Sequence, residues 1–265
     1  MYAFEYTRAT SLEDAAERLR ANPEGKILAG GMTLLPTLKF RLAAPSHLVD
    51  LQSLADLKGI EIASDTVTLK AMTTHTAVAT SPEVAKAIPA LSVLAGGIGD
   101  TQVRNRGTCG GSIANNDPAA DYPAGCLGLG ATLVTSKREI AADDFFQALF
   151  TTALEPDEII TAIRFPIPER AAYMKFKNPA SRYAIVGVMV SKGPAGIRVA
   201  VTGAGDNGVF RVSEMEAALA KSFAPDAVAD IRISPDNLMS DIHASSEYRA
   251  HLITVMAKRA VAACL

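Results

Sequence analysis

The chain has 265 residues, 49% of them hydrophobic and 20% charged, with a formal net charge of −2. That length suffices for one large domain or two to three smaller ones, each able to bury a core, and the charge gives no support for a polyanion-binding surface. No run of about 18 apolar residues is present to cross a membrane, and the N-terminus turns charged too early for a secretory signal, so a cytoplasmic location is expected.

In chain order, Ser11 has the character of an N-cap, with Asp14 three residues on, opening an amphipathic helix to about Leu19. Lys26–Ala29 reads as a strand running into a glycine pair, after which Leu34, Leu35, Leu38 and Leu42 recur at helical spacing. His47–Leu51 reads as a strand, residues 60–63 and 66–72 as a hairpin, and residues 82–97 as helix broken at Pro89. Residues 98–135 read as a loop-rich centre closing on a strand at Ala131–Thr135. Glu158–Phe165 is β-rich and stops at Pro166-Ile167-Pro168. Tyr183–Ser191 and Ile197–Thr202 read as an antiparallel pair, and Ser213–Lys221 and Ser246–Cys264 as helices. Pro166 and Pro168 mark the boundary expected between two parts of the chain.

Two glycine-rich segments carry the chemistry. The first is AGGMTLLPTLKFR at 29–41 and the second is GGIGDTQVRNRGTCGGSIANNDPAADYP at 96–123. In each, a Gly-Gly pair can bring backbone close to a ligand and offer amide N–H groups to an anion. Neither is a Rossmann fingerprint or a P-loop. Taken alone, the first is equally a tight strand-to-helix turn. Asn115, Asn116, Asp117 and Asp121 add polar groups suited to ribose or ribitol hydroxyls, and Asp117-Pro118 is equally an Asx-type turn. The three cysteines and four histidines are scattered, with no iron–sulfur or zinc spacing, so redox chemistry would need an organic cofactor or a partner chain.

At these residues the sequence resembles the FAD-binding (medium) subunit of molybdenum hydroxylases, the carbon monoxide dehydrogenase and xanthine dehydrogenase family. AGGMTLLPTLKFRLAAPSHLVDL is similar to the family's first flavin motif and IGDTQVRNRGTCGGSIANNDPAADYPA to its second. The likeness continues through EPDEIITAIRFPIP, YMKFKNPASRYAIVGVMV and SSEYRAHLITVMAKRAV. The resemblance implies an α+β protein. A vanillyl-alcohol-oxidase (PCMH)-type FAD-binding domain would span 1–168, in two α/β lobes of about 1–55 and 56–168. A smaller α/β C-terminal domain would span 169–265. It further implies that Ile27, Leu28, Ala29, Gly30, Gly31, Met32, Thr33 and Leu34 wrap the pyrophosphate of non-covalent FAD. Thr108, Cys109, Gly110, Gly111 and Ser112 would approach from the other lobe. Asp121 would take sugar hydroxyls, Ile98 and Ile160 would pack on the adenine and flavin portions, and Lys175 (or Lys177) and Tyr183 would stand at the flavin end. Met32, Cys109 and Arg182 depart from the family's usual residues.

The function implied is electron transfer. A large molybdopterin-binding subunit would oxidise substrate, and a small subunit would carry 2Fe–2S clusters. The FAD subunit would pass electrons to NAD or another acceptor, with no catalytic acid, base, nucleophile or metal ligand of its own and no nucleic-acid partner. Two alternatives stand beside it: a free-standing FAD-dependent oxidase and a flavin-free assembly scaffold.

Overall fold

A computed structural model describes residues 1–265. Strands β1 (Glu5–Arg8), β2 (Lys26–Leu28) and β3 (His47–Asp50) form a parallel sheet in the order β1-β3-β2, joined by helices α1 (Leu12–Ala21) and α2 (Leu34–Lys39). Ser11 caps α1 by accepting from the Asp14 N–H at 3.1 Å, and Asp14 answers by accepting from the Thr10 N–H at 2.9 Å. Helix α2 stops at Lys39, earlier than the leucine spacing predicts. Arg41 turns left-handed at φ 60°, and Leu42 projects into solvent at 77% exposure.

The second sheet is antiparallel, in the order β4-β5-β10-β6-β7, with β4 (Ile60–Ile62), β5 (Thr66–Lys70), β6 (Thr132–Thr135), β7 (Glu139–Ala141) and β10 (Ile160–Pro166). Between β5 and β6 run six short helices: α3 (His75–Thr80), α4 (Pro82–Ala87), α5 (Pro89–Gly96), α6 (Thr101–Arg106), α7 (Cys109–Asn115) and α8 (Asp121–Leu129). The expected break at Pro89 is real, because proline opens α5 at its first position, where no N–H is needed. The stretch expected to be loop-rich instead holds α6, α7 and α8. Asp100 and Thr108 cap the first two by accepting from Val103 and Gly111 N–H groups. Helix α9 (Ala142–Phe145) and a small hairpin, β8 (Phe146–Ala148) with β9 (Thr151–Thr152), complete this part.

The last sheet is antiparallel, β11 (Arg170–Lys177), β12 (Ala184–Gly193), β13 (Gly196–Thr202) and β14 (Phe210–Arg211), backed by α10 (Ser213–Lys221), α11 (Asp226–Ala229) and α12 (Ser246–Ala263). Its strand β12 is buried from Ala184 through Ser191, which requires cover on both faces. Val186, Val188, Val190, Val199 and Val201 face α10 and α12, whereas Tyr173, Met189 and Ala200 join the core of the second sheet. The second cover is α8. Beyond Asp121 it carries no charged side chain, and every one of its residues is buried, so it needs protein on every side. Polar ties fix it to the sheet: Ser191 Oγ donates to the Gly128 carbonyl at 2.6 Å, and Thr202 Oγ1 to the Ala120 carbonyl at 2.7 Å.

Candidate FAD site

The first glycine loop leaves β2 and enters α2. Gly31 adopts φ 75°, a left-handed conformation that costs glycine nothing and strains other residues. With the chain turned there, the backbone N–H groups of Gly30, Gly31, Met32 and Thr33 find no acceptor in the protein, and α2 has no side-chain cap. Successive unpartnered amides of this kind form an anion-binding concavity. Gly30 is needed for close approach, since a Cβ there would strike the Arg106 carbonyl oxygen and lie 2.8 Å from Gly107 Cα. The two glycine loops therefore touch backbone to backbone. Ala29 seats beside Gly111, where an added Cβ would lie 3.4 Å away. Leu28, Leu34 and Met32 are half-buried around the turn, and Ile27 packs into the small core under the first sheet.

The second loop is built differently from the amide cradle the sequence suggests. Cys109 N–H donates to the Thr73 carbonyl at 3.0 Å, Gly110 N–H to Ala71 at 2.9 Å, and Gly111 N–H to Thr108 Oγ1 at 3.2 Å. Its first amides are thus spent on anchoring α7. A Cβ on Gly110 would come within 2.6 Å of Ala71 Cβ, so that glycine is required for close packing against the end of β5. Cys109 is fully buried with its Sγ 3.2 Å from the Lys70 carbonyl, and burial pushes its thiol up to about 12, leaving it inert. Ser112 stays half-exposed with its hydroxyl uncommitted.

Asp121 does not face a cleft with free oxygens. Tyr173 donates its hydroxyl to Asp121 Oδ1 at 2.5 Å, and the Lys175 ammonium donates to Oδ2 at 2.8 Å. Asp121, expected to meet sugar hydroxyls, thus sits in a buried triad with Lys175 and Tyr173, of which Tyr173 was not among the expected residues. Burial pushes the Asp121 carboxyl up, while the Lys175 charge and the Tyr173 hydroxyl oppose that push. Lys175 also donates to the Gly97 carbonyl at 3.1 Å, beside half-buried Ile98. Of the two lysines, Lys175 points inward and Lys177 is exposed. Ile160 is 5% exposed in the main core, so its role is packing. Tyr183 lies just ahead of β12, with its hydroxyl at Thr33 across from the first loop, and burial raises its pKa. Asn116, left-handed at φ 44°, and Asp117, which accepts from the Ala119 N–H at 2.9 Å, serve the local turn.

Between the first sheet and the second lies a cleft of about 250 Å³ that includes Ala29, Gly30 and Thr108. Unpaired amides, close-packed glycines and this cleft together suit a phosphate-bearing cofactor clamped from two sides, and the fold that presents them is that of an FAD-binding α+β protein.

Comparison with known proteins agrees. The family described as "FAD binding domain in molybdopterin dehydrogenase" matches residues 2–168. The nicotine 6-hydroxylase medium subunit of Paenarthrobacter nicotinovorans is 35% identical, across 98% of this chain and 96% of that protein. The carbon monoxide dehydrogenase medium chain of Hydrogenophaga pseudoflava is 34% identical, across 97% of this chain and 96% of that one. Among solved structures, carbon monoxide dehydrogenase from Hydrogenophaga pseudoflava superposes with a TM-score of 0.90 at 34% identity, covering 99% of this chain and 97% of its counterpart. Quinoline 2-oxidoreductase from Pseudomonas putida 86 gives 0.88 at 30%, with the same two coverages. The chain belongs to the family of FAD-binding flavoprotein subunits of molybdopterin-dependent dehydrogenases. No helix is long and apolar enough to cross a membrane.

Proposed function

We propose that this chain is the electron-transfer subunit of a cytoplasmic molybdenum hydroxylase, working with a large molybdopterin-binding subunit and a small subunit carrying 2Fe–2S clusters. Residues 1–168 act as the FAD-binding domain and 169–265 as the C-terminal domain. The observation that carries this reading is the run of unpartnered amides at Gly30–Thr33 packed directly on the Arg106–Gly107 backbone, in a chain whose relatives along its whole length are named as medium subunits. FAD supplies one- and two-electron chemistry when bound.

The chain's own residues bind and position. Gly30, Gly31, Met32 and Thr33 donate N–H groups to the pyrophosphate. Ser112 offers a hydroxyl from the other side. Tyr183 and Lys175 stand at the flavin end, Lys175 held in place by Asp121. Held there, the flavin would supply the link between the small subunit and NAD or another acceptor.

The test is co-purification of the chain with its partner subunits, followed by visible spectroscopy before and after denaturation. Flavin absorption that passes a filter on denaturation, together with molybdenum and iron in the complex, is the expected result. A complex that carries molybdenum and iron but no flavin, and takes up none when FAD is added, would refute the reading.

A further inference from the structure

Strand β11 passes into β12 through a tight turn, and one residue ties it together. The Asn178 N–H donates to the Tyr183 carbonyl at 2.8 Å, and the Asn178 carbonyl accepts from the Arg182 N–H at 2.9 Å. The side-chain Oδ1 of Asn178 accepts from the Ala180 and Ser181 N–H groups at 2.9 and 3.1 Å. The bonds that close the turn therefore meet on one buried residue, 7% exposed. They carry Arg182 to φ 63°, a left-handed conformation that strains any residue but glycine.

The strand that follows is bent to match. Pairing runs from Phe176 with Val186 to Lys177 with Ala184, so Ile185 is an extra residue on β12, a bulge of the kind that re-aims a neighbouring side chain. Arg249, buried on α12, braces it. Its guanidinium donates to the Ile185 and Gly203 carbonyls at 2.7 Å each and to Asp241 Oδ2 at 2.7 Å. Turn and bulge flank Tyr183, which is 46% exposed and reaches with its hydroxyl to Thr33 of the first glycine loop. A half-exposed ring adds little burial to the fold. A buried carboxamide and a buried guanidinium committed on either side of it fix its direction.

We propose that Asn178 is a positioning residue: through the turn it closes, with Arg249 bracing the bulge behind it, Asn178 aims the Tyr183 ring at the flavin end of the site. The inference rests on the flavoprotein reading above. Oδ1 makes the side-chain tether and the carboxamide NH₂ takes no part in the turn, so Asp serves at position 178 and Ala does not. Without the tether, Arg182 relaxes out of its left-handed conformation, and the adjoining Tyr183 turns with it.

The test is a double-mutant cycle in the full complex, stripped of flavin and titrated with FAD while flavin fluorescence is followed. Tyr183→Leu should lose the quenching that a tyrosine ring against flavin gives, and the FAD dissociation constant should rise about three- to tenfold. Asn178→Ala should lose most of the same quenching, Asn178→Asp should keep it, and Asn178→Ser, with a shorter acceptor, should fall between. The serine variant keeps the test open should the alanine variant fold poorly. In a Tyr183→Leu background, Asn178→Ala should change neither quenching nor affinity further, which a merely structural role for Asn178 would not require. Wild-type quenching in Asn178→Ala, or an equal effect with and without Tyr183, overturns the proposal, and so does wild-type quenching in Tyr183→Leu. A wild-type complex that binds no FAD overturns the flavoprotein reading instead, so the two failures are distinct.

Discussion

Removing the carboxylate of Asp121 strands the Lys175 ammonium in a setting where both side chains are almost wholly buried. Breaking such a pair from one side costs about 3–5 kcal/mol, well above the loss of one neutral hydrogen bond. Asp121→Leu should therefore unfold at markedly lower urea, and Asp121→Leu/Lys175→Met should recover much of that loss. A double variant no more stable than the single one would show that the pair is not coupled. The residues of this region were unequally legible in sequence. Gly30 and Gly31 announce themselves because close approach and positive φ both demand glycine. The role of Asp121 was hidden, because its partners Tyr173 and Lys175 lie more than fifty positions away. The donor state of the second loop was hidden for the same reason: Thr73 and Ala71 take its amides across space.

The elements that sequence patterning recovered are those with a clear period or a cap, such as α1, the β4–β5 hairpin, the helix pair split at Pro89, and α12. Helices α6 and α7 escaped notice because they are six and seven residues long and rich in glycine and polar residues, so tertiary contacts decide them. The β8–β9 hairpin shows how such contacts act. The Asn116 carboxamide donates to the Ala148 and Thr151 carbonyls at 2.8 Å each, while the Asn116 carbonyl accepts from the Phe150 N–H at 3.1 Å. Phe150 itself is held at φ 54° and 60% exposed. Asn116→Gly keeps the left-handed position but removes both side-chain bonds, and should cost about 1–3 kcal/mol in thermal or urea unfolding. Phe150→Gly relieves a strained conformation at a solvent-facing tip and should match or exceed wild-type stability. A large loss from Phe150→Gly would contradict this account of the hairpin.

Across the whole molecule, His75 and Glu158 are two buried groups whose pKa values are lowered far enough to weaken the fold as pH falls. His75 is lowered from 6.5 to about 4, first by burial and then by the Arg104 charge. Glu158 is lowered from 4.5 to about 2: burial alone would raise it, but Arg138, Thr135 and the Glu155 N–H outweigh that. The unfolded chain protonates His75 near 6.5 and the folded chain only near 4, so its contribution is complete above 6.5 and is lost as pH falls towards 4. Glu158 adds a second loss between 4.5 and about 2. Unfolding free energy should decline in these two successive stages, and His75→Gln should flatten the upper stage while leaving the lower one. An unchanged upper stage in that variant would assign it to another group.

Helix α8 has no face it could show to water, being pressed between the second sheet's core and the last sheet. The consequence is mechanical. Cys109 and Ile113 of α7 share one interior with Tyr173 and Met189 of the last sheet around α8, so the second glycine loop and the strand that bears Lys175 cannot part without baring that helix. The first glycine loop stands on a separate core and meets them through the contact of Gly30 with the Arg106–Gly107 backbone.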